Sequence, residues 1–473
     1  MEETLRLNAQ VQAKEVPAEA FPPQKALDLS EEGLTRTIVG LALPAVVENL
    51  LVTLVFLVDT ILIGWLGDPA ALAAVSLGGM LIFVLNSIFT ALSAGVIPLV
   101  ARAWGAQDYR RAERAGGQAI SLSLLVALGA VALTWPLTER YFVLMGAETE
   151  VVRLGAVYLR WILTTSVLGL PIVALNGIMR AAGDTRTPMW ITGIMNVWNV
   201  AAAYALIFGL GPVPALGLAG AGMATASARF LGGLLCLGVL LGGRSVIRIP
   251  WRDLLAWDGA LVRTMVRLSL PAAGEQLIQR AGSLLFMRVV SALGTVALAA
   301  HQVAVRVESI SFMPGMGLGV ASTTLTGQAL GAGEVGLAEK GVRRTLHLAL
   351  QIMTALGLVF ALFGRALVTV FGATPEVLDL AGLAVRIGAL EQPSLAVLMV
   401  LSGAVRGAGD TRTPLWVSAA GVLFFRVPVV YLFAISFGWG LAGVWLGTAL
   451  DWAARAALMA WLYRRGRWKA IRL

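Results

Sequence analysis

From Ile38 onward the chain alternates long apolar runs with short polar segments. The runs cover about 38–66, 71–101, 115–137, 154–179, 188–209, 217–241, 264–293, 297–327, 345–371, 381–405, 414–437 and 441–463. Each reaches the roughly 20 residues that a helix needs to cross about 30 Å of hydrocarbon. A backbone in lipid has to satisfy its own polar groups, and a helix does so within one segment. The pattern predicts an all-α integral membrane protein with twelve transmembrane helices. Residues 1–35 are polar, contain Pro17, Pro22 and Pro23, and lack the apolar core and cleavage site of a signal peptide. They are expected to form a cytoplasmic tail.

Composition agrees with this pattern. Of 473 residues, 58% are hydrophobic and 13% charged, with a mean hydropathy of +0.82. A soluble domain has roughly 45–50% apolar and about 25% charged residues. The net charge of +9 would point to nucleic acid in a soluble chain. Here the basic residues fall in alternate loops: Arg102, Arg110, Arg111 and Arg114; Arg180 and Arg186; Arg244, Arg248 and Arg252; Lys340, Arg343 and Arg344; Arg406 and Arg412; and Arg464 to Arg472. Asp68, Glu139, Glu148, Glu150, Glu376 and Asp379 occupy the others. Lys and Arg mark cytoplasmic loops, so the charge is explained by topology. The chain is expected in the cell membrane with both termini cytoplasmic, as a monomer, with lipids around it and no nucleic-acid partner.

Two segments are nearly the same, "MRAAGDTRTPMW" from Met179 and "VRGAGDTRTPLW" from Val405, with Gly183 and Gly409 lying 226 positions apart (409 − 183). "LALPAVVE" ending at Glu48 and "LSLPAAGE" ending at Glu275 keep nearly the same offset, as do "WGAQ" and "LGAG". This is a tandem duplication. Six helices per copy insert both halves in the same sense, so a pseudo-two-fold axis along the membrane normal relates two six-helix bundles, with a cavity between them. The expected parts are the tail 1–35, a bundle 36–243, a cytoplasmic linker 244–263, a bundle 264–463 and a basic tail 464–473. Within the dodecamer, Gly permits a tight turn, Asp caps the next helix and Pro suits its first turn. Its Arg meets phosphate headgroups or the Asp of its own loop.

The duplicated "RxAGDTRTP", "GAQDYRRAER" after the second helix, "ALAAHQVAVRVESISFMPGMGLGVASTTLTGQALGAG" across the eighth and "LVDTILIGWLG" ending the first resemble the multidrug and toxic compound extrusion (MATE) transporters. The resemblance spans essentially everything after residue 35. It implies a V-shaped pair of bundles exporting organic cations or amphipathic compounds in exchange for H⁺ or Na⁺. A lipid-linked oligosaccharide or lipid flippase of the same superfamily is the alternative. It would need a more cationic cavity than these largely acidic candidates provide.

Ionisable groups inside a membrane are costly and mark function by default. Glu48 and Glu275 each follow a proline, Pro44 or Pro271, by one turn; Asp59 lies near the far end of the first helix. These three lead as ion-coupling residues. A carboxyl in a partly dehydrated cavity holds its proton more tightly, and a proton and a cationic compound competing for it would couple antiport. The "VDT" around Asp59 matches the family's first-helix aspartate. The competing reading pairs Glu48 and Glu275 with buried arginines such as Arg280 or Arg288. Further cavity candidates are Gln279, Asn196, Asn199, Glu308, Glu391 and His301, while Asp451 and Arg455 read as an i,i+4 ion pair.

The family pattern is not followed throughout. Gln279 stands where the NorM-like branch carries its seventh-helix glutamate, and Ala203 where the DinF-like branch carries a fifth-helix aspartate. The coupling ion is therefore open between H⁺ and Na⁺. The single cysteine, Cys236, allows no internal disulfide, and His301 and His347 are too separated for a metal cluster. Paired "DDxxD" carboxylates and "HExxH" are absent, so neither an enzyme nor a bound cofactor is expected.

Overall fold

A computed structural model describes residues 31–212 and 214–473, so nearly all of the expected N-terminal tail lies outside the described residues. The described chain forms α1 (Glu31–Gly64), α2 (Pro69–Gly105), α3 (Tyr109–Leu144), α4 (Thr149–Ala181), α5 (Arg186–Phe208) and α6 (Gly217–Gly242) in its first half. The second half forms α7 (Gly259–Ser291), α8 (Thr295–Gly331), α9 (Val335–Thr369), α10 (Pro375–Gly407), α11 (Arg412–Ser436) and α12 (Gly440–Arg464). Among the described residues, 9 of these helices are long and apolar enough to cross a membrane. The other three, α7, α8 and α12, have 33, 37 and 25 residues and carry charged side chains in their interiors.

Local chemistry sets the ends. Asp258 accepts hydrogen bonds from the amides of Ala260 and Leu261 and starts α7 at Gly259, about a turn before its apolar run. Helices α3 and α9 likewise begin in the polar segments that precede their apolar stretches, at Tyr109 and Val335. The two dodecamers make matching turns, with Gly183 at φ 96° and Gly409 at φ 89°, a left-handed conformation that suits glycine. Asp184 and Asp410 then accept from the amides of Thr187 and Thr413. α4 is interrupted at Leu170–Pro171, and α10 passes through a 3₁₀ turn at Ala389–Glu391. α11 contains π turns at Gly421–Arg426 and Leu432–Ser436, whereas its counterpart α5 is regular.

Packing obeys the duplication. α1 lies against α5 and α8; its counterpart α7 lies against α11 and α2; α2 meets α8 on the axis. The pairs α4–α6 and α5–α6 recur as α10–α12 and α11–α12. The apolar cores show where the halves join. On the face that carries the dodecamers, Leu34, Ile38 and Leu41 of α1 enter the core of the second half, while Met265 and Leu268 of α7 enter that of the first. The cores toward the opposite face draw buried residues from one half each, Leu62 to Ala224 and Val290 to Trp445. The bundles are therefore fastened to each other at the dodecamer face and separately packed toward the other.

Two glycines make the joint possible. A Cβ on Gly105 would collide with the backbone of Gln328, and one on Gly331 with the backbone of Arg102, so α2 and α8 cross in backbone contact. Arg102 donates across the joint to the carbonyl oxygens of Ala408 (3.0 Å) and Ile471 (2.6 Å). Gln328 donates in the opposite sense to that of Ala181 (2.9 Å), and Thr324 to that of Arg180 (3.0 Å). The dodecamers thus supply acceptors for a symmetric cross-link. The linker is held separately, its short helix Trp251–Leu255 tied to α3 through Arg110 and Asp253.

Candidate ion and substrate site

Each of the two leading glutamates is held by an arginine of the dodecamer in its own half. Glu48 accepts from Asn176 Nδ2 at 2.9 Å and Arg180 Nη1 at 3.1 Å, linking α1 to α4. Glu275 accepts from Arg406 Nη2 at 2.7 and 2.8 Å and from Ser418 Oγ at 3.1 Å, linking α7 to α10 and α11. Both carboxylates are buried, at 6% exposure. The partners are therefore not Arg280 or Arg288, the arginines that follow Glu275 on its own helix. The Arg280 guanidinium instead lies 3.7 Å from the centre of the Phe83 ring on α2. A guanidinium over an aromatic face gains a cation–π contact, and this one spans the two halves. Gln279 hydrogen-bonds to Glu275 (3.2 Å) and Ser418 (3.5 Å), so it belongs to the Glu275 cluster.

Asp59 sits on α1 away from the dodecamer face, half-buried, with Arg229 of α6 as its countercharge. Asn199 is in the same half, donating to Thr225 Oγ1 at 3.5 Å. Asn196 is a packing residue, since its Nδ2 donates to the Leu51 carbonyl at 2.6 Å and pins α5 to α1.

The second half concentrates charge. Glu308 of α8 and Glu391 of α10 are buried beside each other, close enough for their carboxyl groups to interact directly. Among the described residues, Glu308 Oε1 and both carboxyl oxygens of Glu391 have no hydrogen-bond partner. Beside them Asp451 accepts from Arg455 Nε and Arg426 Nε, each at 2.7 Å. The expected Asp451–Arg455 pair is therefore one arm of a triad. Two cations flank one anion there, and Arg426 lies within electrostatic reach of the facing glutamates. Gly421, in the first π turn, leaves room for the Arg455 side chain, which a Cβ would strike. His301 is two turns from Glu308 and buried between Phe286 and Trp445, with ring centroids at 5.4 and 5.8 Å. It is a packed aromatic of this half.

Arg229 and Arg426 did not emerge from the sequence reading, which searched the apolar runs mainly for carboxylates. A signal existed, because both arginines interrupt apolar helices and Arg229 matches Arg455 at the 226-residue offset (455 − 229). Two carboxyl groups facing each other in a buried site repel unless a proton or a cation lies between them. Such a pair can take up and release one positive charge.

Known proteins share this fold and its duplication. The MatE family model matches twice, at residues 44–205 and 271–432, one copy per half. A probable multidrug resistance protein NorM of Thermotoga maritima is 30% identical over 439 residues, covering 92% of this chain and 93% of the relative. The multidrug resistance protein NorM of Burkholderia vietnamiensis is 30% identical over 460 residues, covering 92% and 97%. Among solved structures, a MATE protein in a bent conformation superposes with a TM-score of 0.86 at 24% identity, covering 95% of this chain and 98% of that one. A MATE protein in a straight conformation gives 0.85 at 25% identity, covering 92% and 96%. With one family match in each half and full-length likeness to NorM proteins, the chain belongs to the MatE family of multi-pass membrane transporters, which are not enzymes.

Proposed function

We propose that this transporter exports organic cations and amphipathic compounds by alternating access, driven by inward movement of H⁺ or Na⁺, and that the facing pair Glu308 and Glu391 holds the coupling ion. That pair carries the reading, because it is the buried anionic site whose charge is not already cancelled by a hydrogen-bonded guanidinium. Glu48 and Glu275 each hold an arginine and are better suited to keeping their helices in register with the dodecamer loops. Asp59, half-buried with Arg229 in the first half, is the second coupling residue and the countercharge for a cationic substrate. The names of the NorM relatives support drug export.

The arginine-rich dodecamer face is cytoplasmic in this reading, with both termini on that side. The joint at Gly105 and Gly331 then closes the inner side, and the V opens outward. Loading the Glu308–Glu391 pair from outside relieves its repulsion and favours release of the exported compound. An antiporter works only if the state carrying neither ion nor substrate rarely switches, and a buried carboxylate pair with no hydrogen-bonded guanidinium supplies such a barrier.

The test is ethidium transport into proteoliposomes under separately imposed H⁺ and Na⁺ gradients, for wild type, Glu308→Gln, Glu391→Gln, Asp59→Asn and Glu275→Gln. We expect one gradient to drive transport, and either glutamine variant of the pair to lower it at least about tenfold, a loss of about 1.4 kcal/mol in coupling. Gradient-driven transport that survives in both Glu308→Gln and Glu391→Gln removes the pair from the mechanism. Folded wild-type protein that transports under neither gradient overturns cation-coupled export.

A further inference from the structure

Beside the dodecamer face, α1 and α5 leave a cavity of about 550 Å³ lined by Arg36, Val39, Leu43, Val47, Arg186 and Trp190 among others. Such a volume falls in the roughly 300–1,000 Å³ range of ligand clefts. The side chains are ordered along its length. Arg36 and Arg186 begin α1 and α5 at the dodecamer end, and Val39, Leu43 and Val47 run from Arg36 along one face of α1. No acidic residue lines the cavity. Among the described residues neither arginine side chain has a hydrogen-bond or ion-pair partner, although both are exposed. Trp190 is one turn beyond Arg186 and 66% exposed, and Leu43 is 58% exposed.

The second half repeats the set. Arg263, Val266 and Leu270 follow the α1 positions by 227 residues (263 − 36), and Arg412 and Trp416 follow the α5 positions by 226 (412 − 186). Trp416 is 68% exposed and Leu270 65%, and both arginines are exposed as well. Exposed tryptophans on a membrane helix sit at headgroup depth. An arginine pair at that depth matches a phosphodiester, and an apolar track leading into the hydrocarbon matches an acyl chain.

We infer that each half carries a binding groove for one anionic phospholipid, with its phosphate held by Arg36 and Arg186 in the first half or by Arg263 and Arg412 in the second, and an acyl chain lying along α1 or α7. In the first-half cavity, two cations without a lining anion favour a net negative headgroup over a zwitterionic one. Since α1 and α7 also pass into the core of the opposite half, a lipid seated on either braces the joint between the bundles.

The test is native mass spectrometry of the detergent-purified full chain titrated with phosphatidylglycerol or with phosphatidylethanolamine of the same acyl chains. The variants are Arg36→Gln/Arg186→Gln, Arg263→Gln/Arg412→Gln, their combination, and Arg244→Gln/Arg467→Gln as a control that removes equal charge from the same face. At about 1 kcal/mol per basic residue near a membrane surface, each groove variant should weaken retention of one phosphatidylglycerol by roughly tenfold to thirtyfold. The combined variant should lose both lipids, and the control should keep them. Equal retention of the two lipids by wild type, or a combined variant indistinguishable from the control, overturns the inference. So does a wild-type dimer without bound lipid that the groove variants dissociate, since the occupant would then be a second copy of the chain.

Discussion

The interiors of the two halves occupy the same helical frame and hold different chemistry. In the first half Asn199 bonds Thr225, one turn from Arg229. In the second, Arg426 bonds Asp451, one turn from Arg455. Thr225 and Asp451 differ by the 226 of the duplication, while Asn199 and Arg426 differ by 227 (426 − 199). The added position falls where α11 makes its first π turn, Gly421–Arg426, a device that inserts one residue and often marks functional sites. Glu308 and Glu391 have no acidic counterparts, since Ile82 and Thr165 stand 226 residues before them. Asp59 likewise has none, because Phe286 stands 227 residues after it. The shared features, including the prolines, the dodecamers with their glutamate partners and the Gly105–Gly331 crossing, build the joint and the frame. The features that differ are charged, so one half holds a buried charge network and the other a single half-buried acid beside Arg229.

The comparison is broken most sharply at its central anion. Asp451→Asn leaves the buried Arg455 and the partly buried Arg426 without the carboxylate that hydrogen-bonds to both. It should cost about 3–5 kcal/mol, the usual cost of opening a buried ion pair, read as a large fall in the thermal midpoint of the purified protein in detergent. A shift within error of wild type would mean that the triad is solvated and that the halves do not differ in the way described.

Next come the two dodecamer arginines, where the halves should behave alike. Arg180→Gln and Arg406→Gln each deprive a buried glutamate of its guanidinium, and because both arginines are partly exposed we expect about 1–3 kcal/mol of destabilisation. Glu275→Gln/Arg406→Gln should recover a large part of that loss in a double-mutant cycle measured by thermal unfolding. Loss in one half only would show that the ion pairs have diverged as the interiors have.

Smallest of all is the first half's counterpart of Asp451. Thr225→Val removes a long neutral hydrogen bond and should cost about 1 kcal/mol or less, measured in the same unfolding assay. A loss approaching that of Asp451→Asn would place an unrecognised charge in the first half.

Hydropathy and repetition are properties of consecutive residues, and they gave the helix count, the duplication and the family. The candidate site was only partly legible. Glu48, Glu275, Asp59, Glu308 and Glu391 all stood out as intramembrane acids, yet their partners did not. Arg280 is five residues from Glu275 and bonds elsewhere, while the bonded Arg406 is 131 residues away. Asn196 and Asn199 both looked like cavity residues, and their separation of three positions is enough to turn one toward α1 and the other toward α6.

What the sequence alone determined is the set of helices, their number, the two-fold repetition and the scarcity of buried charge, because the transfer of each segment into lipid depends on its own residues. Tertiary structure alone decided which acids are neutralised and which face each other. Glu308 meets Glu391 through the relative rotation of α8 and α10, and Asp451 meets Arg426 through a π turn in α11. Those rotations follow from the close packing of all twelve helices, with glycines such as Gly105, Gly331 and Gly421 setting how near two backbones or a side chain can come.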